Sequence, residues 1–288
     1  MELDSIKKQK RIRKIVQSLW GIVTNAHLSG FVTGKIYQGP LKRFCVPGMN
    51  CYACPAATMS CPVGSMQAVL GQKKPRFAFY VIGFLSVIGI CLGRFICGWL
   101  CIFGLIQELL YKIPTPKLKV KEQIDKVLRF AKYFFLFGFC IFAVLFFRDK
   151  YGMTLPYFCK FVCPIGMLEG GIPLLILNKT MRAAAGLLYI WKLCLLIITI
   201  VLSIIIYRPF CKYICPLGAF YSLFQKISFL KIEIDSSACI NCGICEKSCK
   251  MQVNPVNQPN SLECIRCGEC IEACPKGALK FNFRKKGG

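Results

Sequence analysis

Long apolar runs alternate with polar, cysteine-rich loops through the first four fifths of the chain. A helix needs about 20 apolar residues to cross a bilayer. The runs predict four transmembrane helices, at about 15–32, 77–95, 130–147 and 183–207. A shorter apolar piece, 172–177, is too short to cross. We expect a four-helix membrane domain over 1–229 and a soluble domain over 230–288.

The first run admits two interpretations. It follows a basic N-terminal segment and is interrupted by Asn25 and His27. A secretory signal peptide has this general layout, but no clean small-residue cleavage site follows. We therefore predict a retained first helix, in which His27 is a packed polar residue and not a ligand.

Charge predicts the orientation of the helices. The chain carries 38 Lys and Arg against 13 Asp and Glu, a formal net charge of +25, and its mean hydropathy is +0.53. In membrane proteins, basic residues concentrate in cytoplasmic loops. They concentrate here in the N-terminal segment, in the loop 96–129 and from Arg208 onward. This predicts a multi-pass protein of the cytoplasmic membrane with both termini in the cytoplasm, and makes nucleic-acid binding a poor explanation of the charge.

A cysteine motif recurs beside each predicted helix. The unit C-x-x-x-C-P-x-G is complete at 159–166 and 211–218, and lacks its proline at 97–104. Only its second half is present at 61–64, where Ala57 stands in place of the first cysteine. The membrane domain therefore reads as two pseudo-repeats, each with two helices and two motifs.

The soluble domain carries two runs of the form C-x₂-C-x₂-C-x₃-C. In bacterial two-cluster ferredoxins, three cysteines of a run bind one [4Fe–4S] cluster and the fourth binds the other. This assigns one cluster to Cys239, Cys242, Cys245 and Cys274, and a second to Cys264, Cys267, Cys270 and Cys249. Zinc is the structural alternative, since Cys₄ also suits zinc, but two tandem runs favour clusters. Residues 230–283 thus resemble an α+β bacterial ferredoxin, with Lys250 where proline is usual.

The membrane-domain cysteines predict further clusters. Two C-x-x-x-C pairs on one side supply the four thiolates that a [4Fe–4S] cluster needs. On the cytoplasmic side these are Cys97, Cys101, Cys211 and Cys215. On the opposite side, repeat position favours Cys61, Cys159 and Cys163, with Cys54 as the fourth ligand of another cluster.

Two further cysteines on that side, Cys45 and Cys51, remain as uncertain extra ligands. They could instead form a disulfide in an oxidising compartment, and the whole outer group could consist of structural thiols or disulfides. Cys91, Cys140 and Cys194 lie inside predicted helices without partners at ligand spacing, and we expect them to pack.

Two segments carry a family resemblance: Gly93-Arg-Phe-Ile-Cys97-Gly-Trp-Leu-Cys101 and Arg208-Pro-Phe-Cys211-Lys-Tyr-Ile-Cys215-Pro-Leu-Gly. With four spans and a C-terminal two-cluster ferredoxin, nearly the whole chain resembles the NapH/NosR/CcoG group of membrane polyferredoxins, and its layout is most similar to NapH. NapH-type proteins are quinol dehydrogenase subunits that pass electrons to periplasmic reductases. CcoG-type proteins serve oxidase assembly, and NosR-type proteins add a flavin domain. The loop Asn50-Cys-Tyr-Ala-Cys-Pro departs from the simplest NapH pattern.

The sequence therefore predicts an iron–sulfur electron-transfer subunit of an oxidoreductase, with no catalytic residues of its own. Its partners would be a cytoplasmic donor or acceptor, a quinone, and an extracytoplasmic reductase or a flavin or haem carrier. An assembly factor for a respiratory metalloenzyme and a subunit of a larger ion-translocating complex remain alternatives. An autonomous ion pump is disfavoured because the predicted spans hold no Asp or Glu, and Lys132 and Lys192 lie where they can snorkel.

Overall fold

The computed structural model describes residues 2–72, 79–148, 154–183 and 185–283. Residues 77, 78 and 184 of the predicted spans, and 284–288 of the predicted soluble domain, lie outside these ranges. The fold is mostly helical. The helices before the first long apolar helix are α1 (Glu2–Thr24), α2 (Ser29–Thr33), α3 (Pro62–Leu70), α4 (Phe79–Leu92), α5 (Phe95–Trp99) and α6 (Ile102–Leu110).

The central helices include the longest apolar ones. They are α7 (Glu122–Phe134), α8 (Ala143–Phe146), α9 (Ile172–Leu177), α10 (Lys179–Ala183), α11 (Leu187–Ile205), α12 (Pro209–Tyr213) and α13 (Pro216–Phe224). A π-helical stretch, Phe135–Phe142, joins α7 to α8, and further π-helical turns cover Phe158–Val162 and Gly166–Gly171.

Two helices are long and apolar enough to cross a membrane within the described residues. They are Glu122–Phe146, which unites α7 with α8, and α11. The apolar helices Phe79–Leu92 and Gly166–Leu177 are shorter. Four transmembrane helices therefore stay a prediction.

The first predicted span, 15–32, is not one continuous helix. Helix α1 ends at Thr24, and the side-chain amide of Asn25 donates to the Gly21 carbonyl, 3.0 Å away. Such local side-chain bonds compete with helix propagation. The following backbone is held by a loop instead, since Thr58 N donates to Thr24 O and His27 N donates to Ala56 O.

The cysteine-rich loop after α2 folds back into the helical bundle. Cys45 and Met49 are buried in the main hydrophobic core, together with Leu85, Cys140 and Phe158. The Tyr221 hydroxyl donates to the Pro47 carbonyl at 2.8 Å, and Gly48 packs against the backbone of Cys101. The loop segment around Pro47 and Met49 therefore lies inside the helical bundle.

The C-terminal module is closed by a two-stranded antiparallel sheet. Strand β1 (Leu230–Ile234) pairs with β2 (Leu279–Phe283), in register from Leu230 opposite Phe283 to Ile234 opposite Leu279. Two short helices, α14 (Ile244–Ser248) and α15 (Glu269–Glu272), lie between the strands in sequence. The sheet brings the two ends of the module together.

Buried ion pairs join the module to the helical bundle. Glu263 of the module accepts from Arg94 at 2.9 Å and from Lys132, and both cations are fully buried. Burial raises the pKa of Glu263, but Arg94 and Lys132 outweigh it, so the net shift is downward. Lys132 therefore does not snorkel as predicted, because Glu263 reaches it inside the protein.

Candidate metal centres

Four cavities are each lined by four cysteines. We call the four sets the distal module quartet (Cys239, Cys242, Cys245, Cys274), the proximal module quartet (Cys249, Cys264, Cys267, Cys270), the inner quartet (Cys97, Cys101, Cys211, Cys215) and the outer quartet (Cys51, Cys61, Cys159, Cys163). The structure thus brings together the members of the first three predicted sets. The outer cavity contains three of its four predicted members.

The donor set of each cavity suits an iron–sulfur cluster. Four thiolates are the ligands of a [4Fe–4S] cubane, in which each binds a different iron atom. A single zinc ion instead requires all four ligands to converge on one point. In the described ranges, no three His, Cys, Asp or Glu side chains converge closely enough to hold one metal ion. Each quartet supplies the four thiolates that a cubane needs.

The loops of the two module quartets share a rare backbone conformation. Asn241 and Arg266 occupy the same motif position and have φ of 51° and 50°. Gly243 and Gly268 follow two residues later, with φ of 72° and 83°. Left-handed residues among right-handed ones point successive N–H groups into one concavity, which binds anionic groups, iron–sulfur centres among them. The glycines are required for their positive φ.

The C-P-x-G part of the membrane motif starts a helix at the site. Cys61, Cys101 and Cys215 are the N-cap residues of α3, α6 and α13. Proline at the first helical position has no N–H to leave unpaired, and the Cys215 thiol accepts from Gly218 N at 3.3 Å. The cysteine sulfurs therefore lie at helix N-termini, where the dipole favours negative charge.

The two motifs of the inner quartet hold each other reciprocally. Arg94, three residues before Cys97, donates to the carbonyl of Cys211 at 3.3 Å. Arg208, three residues before Cys211, donates to the carbonyl of Cys97 at 2.5 Å. A Cβ on Gly104 would lie 2.8 Å from the Arg208 guanidinium, so the motif glycine makes room for this crossing.

The outer quartet uses a loop cysteine where the inner quartet uses a motif cysteine. Ala57 occupies the position that corresponds to Cys97, and Cys51 lines the cavity in its place. The predicted fourth ligand, Cys54, is absent from the lining and is buried in a small cluster with Ala56 and Ala57. The backbone N–H of Cys51 donates to Glu169 at 2.7 Å, which orients this segment toward the cavity.

The remaining cysteines lie apart from the four cavities. Cys45 is buried in the main core and does not pair with Cys51, and both are free thiols. Cys140 packs in the same core, whereas Cys91 and Cys194 are exposed on the surfaces of α4 and α11. The packing prediction thus describes Cys140 and not the other two.

Asn50 marks the outer cavity as a site for a ligand. It lines the cavity and is only 2% exposed, yet neither its oxygen nor its nitrogen has a hydrogen-bond partner among the described residues. A buried polar group without a partner is costly. A group bound between the four cysteines would offer its side chain that partner.

A buried carboxylate holds the inner quartet and the N-terminal helix together. Glu108 accepts from Arg13 at 2.9 Å, from Arg208 at 2.8 Å and from the Tyr207 hydroxyl. Arg13 also reaches Glu269 of the module at 3.3 Å. Burial alone would raise the pKa of Glu108, but Arg208, Arg13 and Tyr207 outweigh it and lower the pKa to about 2. Glu108 is therefore a charged anchor at neutral pH.

Replacing Glu108 with Gln is expected to destabilise the chain by about 3–5 kcal/mol, because Arg208 would lose its carboxylate partner while buried and Arg13 would keep only Glu269. The depressed pKa means that the wild-type contribution is complete above about pH 4.5 and is lost as pH falls toward 2. Thermal unfolding in detergent between pH 3 and pH 7 measures both effects. Glu122→Gln is the control, since the pair of Glu122 with Lys126 is exposed. Equal melting temperatures for the two variants at neutral pH would contradict the prediction.

Several residues of the site escaped the sequence analysis. Arg94, Arg208 and Glu108 were not singled out, nor were two buried glutamines, Gln67 and Gln107. A signal was available for the glutamines, because the sixth residue after the second cysteine of each unit is polar within an apolar helix: Gln67, Gln107, Glu169 and Tyr221. No comparable signal identifies Glu108, whose partners come from distant parts of the chain.

Comparison with known families agrees with this geometry. A family described as "4Fe-4S binding domain" matches residues 74–121 and 187–234, and these segments contain the inner quartet. A family described as "4Fe-4S dicluster domain" matches residues 231–276, which contain both module quartets. No solved structure matches the chain. The chain therefore carries 4Fe-4S ferredoxin-type domains in both its helical bundle and its module.

Similar proteins come from archaea and bacteria. The putative electron transport protein YccM of Escherichia coli is 29% identical over 69% of this chain and 54% of its own length. The methylamine utilization ferredoxin-type protein MauN of Paracoccus denitrificans is 25% identical over 64% of this chain and 63% of its own. The uncharacterized protein MJ0750 of Methanocaldococcus jannaschii is 33% identical over 70% of this chain and 77% of its own. The chain belongs to the same protein family as MJ0750, and it carries 4Fe-4S ferredoxin-type domains.

Proposed function

We propose that this iron–sulfur electron-transfer protein carries four [4Fe–4S] clusters in a row and passes electrons from a cytoplasmic donor into the membrane and on to a partner at its far side. The clusters would supply one-electron storage, and the four cysteine quartets would hold them. The protein's own residues set the order of the quartets, their burial and their spacing.

The observation that carries this proposal is that the site of each quartet contacts the site of the next one along the row. Met49 lines both the inner and the outer cavity, so the two cavities adjoin at this residue. Gly98 of the inner motif approaches Ile265 of the proximal module loop so closely that a Cβ would lie 2.4 Å from the Ile265 carbonyl. Cys245 and Cys270, from the two module quartets, belong to one hydrophobic cluster. Continuous contact along the row supports stepwise electron transfer.

The two ends of the row are its most accessible parts. At the distal module quartet, Cys242 is exposed and so are the apolar neighbours Ile240 and Ile244, which favours docking of a redox partner. The outer cavity has a volume of about 280 Å³, against about 10–20 Å³ for the other three. Its rim carries Lys160 and Lys192. These features support exchange with other molecules at both ends.

A membrane location is supported by the two long apolar helices and by the basic residues near the module. Arg13 of α1 contacts Glu269 of the module, so the N-terminal helix and the C-terminal module meet at one end of the protein. We infer that both lie in the cytoplasm and that the outer quartet lies toward the other face, in a multi-pass protein. An extracytoplasmic reductase, or a flavin or haem carrier, would then be the second partner.

A quinone is the proposed membrane-soluble partner. A groove of about 970 Å³ lies beside α7, lined by Phe130, Phe137 and Leu223 and reaching Glu263 and Pro259. Pro259 also lines the proximal module cavity. Apolar walls with a few polar groups are typical of sites for such ligands. This supports a NapH-like quinol dehydrogenase subunit over a CcoG-like assembly factor.

Vectorial electron transfer tests the proposal. The purified chain is reconstituted into vesicles that contain trapped ferricyanide, and dithionite is added outside. We expect the trapped ferricyanide to be reduced faster than in protein-free vesicles, because the row of clusters would conduct electrons through the bilayer. Iron analysis with EPR spectroscopy is expected to show about sixteen iron atoms per chain, four for each cubane.

Vesicles with a heat-unfolded sample of the chain provide the control for leakage. Reduction of trapped ferricyanide no faster than in this control would contradict transfer across the bilayer. About eight iron atoms per chain would contradict clusters in the membrane domain and leave only the two module clusters.

A further inference from the structure

Two buried glutamines occupy equivalent positions in the inner and outer sites. Gln67 is the sixth residue after Cys61, and Gln107 is the sixth residue after Cys101. Each is only 1% exposed and lies on the helix that its cysteine caps, α3 or α6. A buried amide must satisfy both its oxygen and its nitrogen.

The two glutamines make the same three contacts. The Gln107 oxygen accepts from Phe210 N at 3.2 Å, and its nitrogen donates to Phe103 O at 3.3 Å and to the Cys211 sulfur at 3.1 Å. The Gln67 oxygen accepts from Phe158 N at 3.0 Å, and its nitrogen donates to Val63 O at 3.2 Å and to the Cys159 sulfur at 3.4 Å.

These contacts determine which end of each amide faces the sulfur. The backbone N–H of Phe158 or Phe210 can only donate, so the amide oxygen must face it. The amide nitrogen then faces the first cysteine of the partner motif and donates to it. The arrangement occurs twice, in two sites built from different segments, which argues for a shared role.

We propose that Gln67 and Gln107 are positioning residues that raise the reduction potentials of the outer and inner clusters by hydrogen bonding to Cys159 and Cys211. This inference rests on the proposed function, in which both quartets hold clusters. Reduction adds one electron to a cluster, and a donor to a ligating sulfur stabilises the more negative state. Hydrogen bonds to the sulfurs are an established determinant of cluster potential.

The other two residues at this motif position act on the loop between the clusters instead. Tyr221 donates to the Pro47 carbonyl, and Glu169 accepts from Cys51 N. Each site therefore has one side chain that contacts a sulfur and one that holds the segment 47–51 around Met49. This division makes the glutamines the members to test for an effect on potential.

The inference is tested by EPR-monitored redox titration of the full chain and of two single variants, Gln67→Leu and Gln107→Leu. Each variant is expected to lower the potential of one membrane cluster, by about 59 mV for a tenfold change in the ratio of reduced to oxidised cluster. The other three potentials should stay unchanged. Gln107→Glu keeps the acceptor for Phe210 N and the size of the side chain; its ionised form replaces the donor with a negative charge and should lower the inner potential further.

Gln17→Leu is the matched control, because Gln17 is fully buried beside the inner quartet but donates to the Cys101 carbonyl and not to a sulfur. It should leave the potential unchanged. Four clusters with wild-type potentials in both glutamine-to-leucine variants would overturn the inference alone. A wild-type chain with only two clusters would overturn the proposed function as well. If Gln107→Leu loses the inner cluster, Gln107→Glu provides the test. An inner-cluster potential in Gln107→Glu that is not below the wild-type value would overturn the inference.

Discussion

Replacing Cys211 with Ala is expected to lower the iron content from about sixteen to about twelve atoms per chain, because the inner quartet would keep only three thiolates. Transfer of electrons to ferricyanide trapped in vesicles should fall by roughly 100-fold or more, since even changes in outer-shell partners cost up to about that much. The inner cavity lies between the proximal module cavity and the outer one. Its loss would therefore interrupt the row while leaving both ends loaded.

The control for this experiment is Cys140→Ala. Cys140 is fully buried in the same core but lines none of the four cavities. The Cys140→Ala variant should retain about sixteen iron atoms per chain and should transfer electrons at the wild-type rate. Unchanged iron content in the Cys211 variant would contradict a cluster at the inner quartet. Lower iron content with unchanged transfer would contradict the linear order of the four sites.

Replacing Cys51 with Ala is expected to remove the outer cluster, whereas Cys54→Ala is expected to leave it in place. The reason is geometric, because Cys51 lines the outer cavity with Cys61, Cys159 and Cys163, and Cys54 does not. The Cys51 variant should lose about four of sixteen iron atoms. Its module and inner signals should persist in EPR spectra, since those quartets lie elsewhere.

Cys54→Ala is a stringent control, because both cysteines belong to one loop and lie three residues apart. Cys54 is buried, at 5% exposure, and Cys51 is half-buried, so the Cys54 substitution removes at least as much packed sulfur. The opposite result, with iron lost from the Cys54 variant and retained in the Cys51 variant, would restore the ligand set predicted from repeat position. Iron retained in both variants would contradict a cluster at the outer site.

The assignment of most cysteines needed no structure. The runs from Cys239 to Cys249 and from Cys264 to Cys274 have a spacing that only a few metal centres use. The internal repeat then paired Cys97 and Cys101 with Cys211 and Cys215, because equivalent motifs follow equivalent helices. In each of these cases the cysteines that line one cavity are close in sequence or related by the repeat, so a local pattern carries the information.

The structure differs from the expectation where the symmetry of the repeat is broken. Ala57 removes one ligand from the outer motif, and repeat position favoured Cys54 as the replacement. In the structure, segment 47–51 enters the helical bundle, where Tyr221 and Glu169 hydrogen-bond to its backbone. Which of several nearby cysteines reaches a cavity depends on the path of a loop, and no periodic pattern describes that path.

Ion pairs between residues far apart in the sequence were not predicted either. Lys132 was expected to extend toward the membrane surface, but it lies fully buried against Glu263, 131 residues later in the chain. Glu108 is bound by Arg13 and Arg208, which lie 95 and 100 residues away. Each of these charges looks like a solvated surface residue when only its neighbours in sequence are considered.

The sequence by itself determined the ferredoxin-type chemistry, the mostly helical build and three of the four cysteine quartets, because ligand spacing and apolar periodicity are local properties. Only the tertiary structure decided that Cys51 lines the outer cavity, that the inner and outer cavities adjoin at Met49, and that Gln67 and Gln107 contact the sulfurs of Cys159 and Cys211. These features arise from packing between residues 92 to 174 positions apart in the chain, where burial and the pairing of polar groups select one arrangement.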